Sequence, residues 1–257
     1  MAITQVEYAL IRKLREVGVL KPGSSLIEFG QSNWYGDVPL EQLYKDIETF
    51  AAPEKRLSLR DRVEQLVAAK PHEMLFDIAA AFYECFIDPP QYTAIDYGGT
   101  KIAHKYDLNT PLLALGAFDV AIDFGTGEHI FDVKTFFQNV HDVTAPGGIM
   151  IHSLPWHGFA DHGFFNFQPT LYFDMAAANG YSVLNVTCGA INPPQVHALN
   201  TREACVAFAK SGNIPANAEL LVVYRKGAQH QPFRVPIQGY YGGVLSEQLK
   251  GDWLTMR

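Results

Sequence analysis

The order of apolar and polar residues divides the chain into stretches of different character. In MAITQVEYALIRKL, Val6, Leu10 and Leu14 fall at helical spacing, which predicts an opening helix to about Gly18. Lys21-Pro22-Gly23-Ser24 is a turn. The next five residues, SLIEF, form a short apolar strand stopped by Gly30. From about Leu40 to Phe86 apolar residues return every three or four positions, as in LEQLYKDIETF and LRDRVEQLVAA, with Pro53, Pro71 and Pro89-Pro90 as punctuation. A helical block over 40–88 is the expectation.

Beyond it the period changes. YTAIDY, FDVAIDFG, IMIHSL, YSVLNVTCG and ELLVVYRKG are apolar runs of strand length, and HKYDLN reads as a short strand or strand-like turn. Between them, DVKTFFQNVHDV, PTLYFDMAAANG and REACVAFAKSG read as helices; APGG closes the first, and Asn179-Gly180 stops the second. Strands apolar on both faces, alternating with helices, predict an α/β three-layer sandwich with a mostly parallel sheet. Residues 229–257, rich in Pro, Gly and Tyr, read as an extended tail packed on a single domain spanning 1–257.

Composition narrows the function classes. The chain has 257 residues, 48% of them hydrophobic, and a net charge of -7. An acidic chain gains nothing from counterion release, so nucleic acid is not an expected partner. Cys85, Cys188 and Cys205 are odd in number and lack CxxC spacing, which fits reduced thiols rather than a disulfide framework or zinc knuckle. The opening residues do not read as an export leader, and the apolar run Leu75 to Ile87 carries Asp77 and Glu84 and is too short to span a bilayer. A cytoplasmic protein without a membrane partner is the expectation.

Ligands of an open parallel sheet bind outside the carboxyl ends of its strands. Four such ends carry polar groups here: Glu28, Gly30, Gln31, Ser32 and Asn33; Asp96; Asp107; and Asp123, Glu128 and His129. Gly30 permits a sharp turn and close approach of a ligand. Asp96 is an acceptor-only group suited to a ribose diol, and Asp107 with the backbone beside Leu108 could meet a purine edge. Glu28 and Asp123 sit where a ligand ammonium could be met. A nicotinamide cofactor fits less well, because the turn Gly30-Gln31-Ser32-Asn33-Trp34-Tyr35-Gly36 lacks the G-x-G-x-x-G cradle for a pyrophosphate.

The stretch FDVAIDFGTGEHIFD…FFQNVHDVTAPGGIMIH resembles the class I S-adenosylmethionine-dependent methyltransferases in its fourth-strand motif, Glu-His-Ile step and Pro-Gly-Gly turn. SLIEFG resembles the first cofactor motif of that family, and AIDYGG its ribose-binding acid; Ser32 stands at the second glycine position of the first motif. The resemblance covers about residues 20–37 and 90–226. It implies a seven-stranded Rossmann-like sheet with a reversed last strand, formed by ELLVVYRKG or a later segment. It implies S-adenosylmethionine as cofactor; Glu28, Gly30 and Asp123 are expected to hold the methionine end, and Gln31 and Asn33 are also expected to be cofactor-binding. Asp96 would hold the ribose, Asp107 and Leu108 the adenine, and Phe124 would line the cofactor and substrate. The first two motifs lie much farther apart than the usual ~20 residues; the surplus is the helical block, a candidate lid, acceptor wall or homodimer contact.

The loop IHSLPWHGFADHGFFNFQP follows the fifth-strand run and combines histidines with aromatic residues. A neutral imidazole can remove a proton near pH 7, so His157 or His162 is the expected base, with Asp161 as its orienter and His152 beside them. His152, His157 and His162 are five residues apart, which does not place them on one helical face. Asp161 and His129 could complete a set in space, but no HExxH-like pattern is present and no metal is assigned. The expected acceptor is a hydroxyl or amine of a small polar or sugar-like compound. The alternative is a non-catalytic relative that binds a nucleoside weakly or supports a partner.

Overall fold

Thr4 starts the first helix: its side chain accepts from the Val6 amide, and the Glu7 side chain closes a capping box on it. A computed structural model describes residues 2–112 and 115–255 of the chain; the last two residues of the expected tail lie outside the described residues. In chain order the elements are β1 (Ala2–Ile3), α1 (Gln5–Glu16), β2 (Leu26–Phe29), β3 (Asn33–Trp34), α2 (Leu40–Phe50), α3 (Arg56–Ala69), α4 (Met74–Phe86), β4 (Tyr92–Ile95) and β5 (Phe118–Phe124). They continue as α5 (Val133–Val143), β6 (Thr144–His157), α6 (Pro169–Asn179), β7 (Ser182–Ile191), β8 (Pro194–Ala198), α7 (Arg202–Lys210), β9 (Ala218–Arg225) and α8 (Glu247–Thr255).

Seven strands form one sheet in the order β4-β2-β5-β6-β9-β7-β8, while β1 and β3 pair separately. The pairings from β4 to β6 are parallel, and those of β9 with β6 and β7, and of β7 with β8, are antiparallel. The sheet is therefore mixed, and the expectation of a mostly parallel one is corrected. Its cause is the return of ELLVVYRKG as β9 between β6 and β7, together with the β7–β8 hairpin. HKYDLN forms only an isolated bridge from His104 to Ile95. The APGG segment enters β6 through a register shift rather than ending before it. The tail lacks regular structure from 229 to 238 but then forms α8, whose Trp253 stacks on Tyr240 at 4.2 Å.

Alternation along the strands builds two cores. Leu26, Val120, Ile122, Ile149 and Ile151 face α1–α4, whereas Ile27, Phe29, Ala121, Met150 and Leu154 face α5–α7. Within the first core Phe82 and Phe86 of α4 are fully buried, each contributing about 1.5–3 kcal/mol. The block α2–α4 thus supplies much of a packed layer over the sheet. α1 is also tied in by polar groups: Ser153 on β6 lies 2.7 Å from Glu7 and 2.9 Å from Glu219 of β9. Burial, then the charge of the neighbouring Glu7, push the Glu219 carboxyl up, and the hydrogen bond from the Ser153 hydroxyl opposes that rise. Among the described residues no helix is long and apolar enough to cross a membrane.

Candidate functional site

β2 runs on to β4 on one side and, later, to β5 and β6 on the other, so the chain reverses its progress across the sheet between β2 and β5. Such a switch point opens a crevice at the carboxyl ends of the strands. Three turns meet there: 30–33 after β2, 96–103 after β4 and 125–129 after β5.

The first turn needs Gly30, whose φ is +85°, and the Gly30 amide donates to the Ile95 carbonyl at 2.6 Å. Gln31 follows, with its amide donating to Asp96 Oδ2 at 2.8 Å and its side-chain oxygen accepting from the Thr100 amide at 2.7 Å. Asp96 Oδ1 accepts from the Gly98 and Gly99 amides at 2.6 and 2.9 Å. Asp96 therefore fastens the first two turns together, and three of its roughly four acceptor positions are in use. Asn33 lies in β3, and Trp34 turns away from the crevice into the core beside Tyr8 and Phe82.

Glu28 is fully buried on the face of β2 that carries Leu26, toward α4. It accepts from Ser32 Oγ at 2.5 Å and from the Tyr92 hydroxyl, while Tyr83 of α4 lies within hydrogen-bonding reach of Ser32 Oγ at 3.1 Å. Burial raises its pKa, and the hydrogen bonds from Ser32, Tyr83 and Tyr92 oppose that rise. The residue at the second glycine position of the motif is thus a tether for the acid of the same motif. Phe124 is buried in the first core and Leu108 in the second, while Asp107 is exposed and closes its own turn by accepting from Asn109.

The third turn is built on Asp123. Its Oδ1 accepts from the Thr126 and Gly127 amides at 3.1 and 3.3 Å, and its Oδ2 lies 3.0 Å from His152 Nδ1. Asp123 and His152 are neighbours across β5 and β6, both buried on the α5–α6 side, and His152 is ringed by Phe137, Tyr172 and Tyr224. Gly127 has no room for a side chain, because a Cβ would come within 2.8 Å of Phe136 and 3.0 Å of Leu154.

That close packing drives Glu128 inward. It is 1% exposed, and its Oε2 has no hydrogen-bond partner among the described residues. Desolvation, then the charge of Asp123, push its pKa up to about 8. The loop after β6 clasps the same turn, with the Phe164 amide donating to the Glu128 carbonyl at 2.7 Å. His162 Nε2 consequently sits 3.6 Å from Glu128 Oε1, and His129 Nε2 sits 3.7 Å from it. Burial, with the neighbouring His162, lowers the His129 pKa.

No family model matches this chain, and no curated protein does. Among solved structures it overlaps the N-methyltransferase NodS from Bradyrhizobium japonicum WM9, solved with S-adenosyl-l-homocysteine. That overlap has a TM-score of 0.46 at 12% identity over 87% of this chain and 88% of that one. A 1,6-didemethyltoxoflavin-N1-methyltransferase from Burkholderia thailandensis, with bound 1,6-didemethyltoxoflavin and S-adenosylhomocysteine, overlaps at a TM-score of 0.45 and 12% identity over 86% and 80%. The [4+2]-cyclase SpnF overlaps at 0.40 and 11% over 88% and 82%. Overlaps of this extent assign no activity to the chain.

The structure separates the expected catalytic residues. His157 is exposed at the end of β6 with Nδ1 3.1 Å from the Pro215 carbonyl. Asp161 is exposed at φ +60°, and among the described residues no ion pair joins it to His157 or His162. His152 belongs to the core rather than to the loop. The grouping that the sequence did not assemble is Glu128, His129 and His162. Its signal was a Glu-His step directly after a buried strand, facing a loop that carries another histidine.

Proposed function

We propose that this chain binds S-adenosylmethionine at the crevice beyond β2 and β4 and transfers its methyl group to a hydroxyl or amine of a small acceptor. The observation that carries the reading is the switch point between β2 and β5, where the Gly30 turn and the Asp96 loop are joined. The nucleoside end of the cofactor fits: Asp96 is only partly buried, and its Oδ2 keeps an acceptor position for a ribose hydroxyl. Gly30 bears no side chain to block close approach. At the methionine end Glu28 and Asp123 are withdrawn into the protein, so backbone groups of the 30–33 and 125–127 turns would have to meet the ammonium. When bound, the sulfonium supplies an electrophilic methyl group. The chain's own task is to orient the acceptor and receive its proton, for which His157 and His162 are the candidates, both exposed at the same sheet edge. Phe131 and Phe164, exposed and edge-to-face at 5.8 Å, offer an apolar wall beside His129 and His162.

A second reading, a non-catalytic relative, draws on a specific observation: the acids of the first two motifs already serve the chain's own amides and hydroxyls. Titration calorimetry with S-adenosylhomocysteine separates the two. Binding at one site, weakened about tenfold or more by Asp96→Ala through loss of a charge-assisted hydrogen bond, is the expected result. Absence of heat in the wild type supports the second reading, and unchanged affinity in the variant removes Asp96 from the site.

A further inference from the structure

We propose that Glu128, His129 and His162 form a binding site for a divalent transition ion of the zinc type, open to solvent on one side. One oxygen and two imidazole nitrogens lie within 4.8 Å of one another. The two histidine nitrogens stand 3.6 and 3.7 Å from Glu128 Oε1, beyond hydrogen-bond range. Ligands about 2.1 Å from a tetrahedral zinc are themselves about 3.4 Å apart, so a small inward movement of two surface imidazoles completes the set. The rings are 5.1 Å apart at an angle of 58°, converging on the carboxylate rather than stacking.

Glu128 supplies an independent indication. Its side chain is buried and its Oε2, beside the oxygen that faces the two imidazoles, has no hydrogen-bond partner among the described residues, which is a costly arrangement. Two imidazoles and one carboxylate suit zinc, iron or cobalt better than magnesium or calcium. The His129 and His162 side chains are 45% and 50% exposed, so the outer coordination positions are left for water or substrate, as in catalytic rather than structural zinc sites.

Ion binding stands independently of the methyl-transfer reading; its consequence for the acceptor rests on that reading. An acceptor hydroxyl in an open position would lose its proton to solvent near neutral pH. The oxygen lone pair then forms the bond to the methyl carbon as the carbon–sulfur bond breaks. That electron pair stays on sulfur, and the sulfonium becomes a neutral thioether. The site therefore selects a hydroxyl over an amine and makes His162 a ligand rather than the base.

The test uses the full chain without an affinity tag, freed of metal by dialysis against a chelator. It is titrated with Zn²⁺ by calorimetry and with Co²⁺ by visible absorption. One ion per chain is expected, with cobalt bands of low-coordinate character. His129→Ala and His162→Ala should each weaken Zn²⁺ binding by about tenfold or more, and the double variant should lose both the binding and the bands. Both side chains are half-exposed, so the variants should fold, and circular dichroism checks this. No binding by the folded wild type, or unchanged binding by the double variant, overturns the site. S-adenosylhomocysteine is titrated into the same metal-free samples. Its heat without zinc binding sinks the ion site alone, and zinc binding without its heat sinks the methyl-transfer reading alone.

Discussion

Asp96 follows β4 and Glu128 closely follows β5, and the fold treats these two carboxylates in opposite ways. Asp96 is partly exposed and surrounded by amides of its own and the neighbouring turn. Glu128 is buried with one oxygen unpartnered and a second acid behind it. The first is a structural clasp with one acceptor position to spare. The second carries an uncompensated cost that a bound cation would relieve. An acid at a strand end can therefore be spent on holding the edge together, while one that departs from good hydrogen bonding marks where something else can bind.

The sharpest way to break the comparison is Glu128→Gln in the metal-free chain. Glu128 keeps its proton to about pH 8 in the fold, against 4.5 ordinarily. Between those values the native state binds more protons than the unfolded chain, so stability falls as pH rises. The variant should lack this slope and exceed the wild type by up to about 4 kcal/mol at pH 8, with the gain vanishing toward pH 4.5. Denaturant unfolding across that range measures it, and a difference that does not vary with pH refutes it. Gly127→Ala comes next: the added Cβ meets Phe136 and Leu154, at a cost of about 1–3 kcal/mol that thermal unfolding would register. An unchanged midpoint would mean that the turn aiming Glu128 inward is not tightly fixed. Asp96→Ala should cost least, about 1–2 kcal/mol, because the freed amides are near enough to solvent to hydrate. A larger loss would make Asp96 a buried linchpin rather than a clasp.

Much of this fold is legible in the sequence. SLIEF, FDVAIDFG and IMIHSL are apolar on both faces because helices cover both sides of the sheet. The helices announce themselves by spacing and by stops such as Gly180. Strand direction is not written in periodicity, so the reversal of β9 and the mixed sheet required the structure, although the methyltransferase resemblance had implied a reversed last strand. β8 escaped notice because PQVHA is short, largely solvated and begins with proline. The site was less legible for a related reason. Asp96 looks the same in sequence whether it serves a ribose or three amides, and the tether from Ser32 to Glu28 replaces a glycine without advertising its purpose. His162 reaches Glu128 only because the loop after β6 folds back over the turn after β5, a long-range contact that no local spacing encodes.

The placement of β9 bears on how the molecule comes to be assembled. It separates β6 from β7, yet it follows both of them, and β8, in the chain. Until Ala218–Arg225 is available, the β7–β8 hairpin has no place in the sheet and β6 presents a bare edge. A nascent chain must keep these surfaces from pairing with strangers until β9 emerges, and refolding must close a distant contact before the sheet is whole, a topology associated with slow folding.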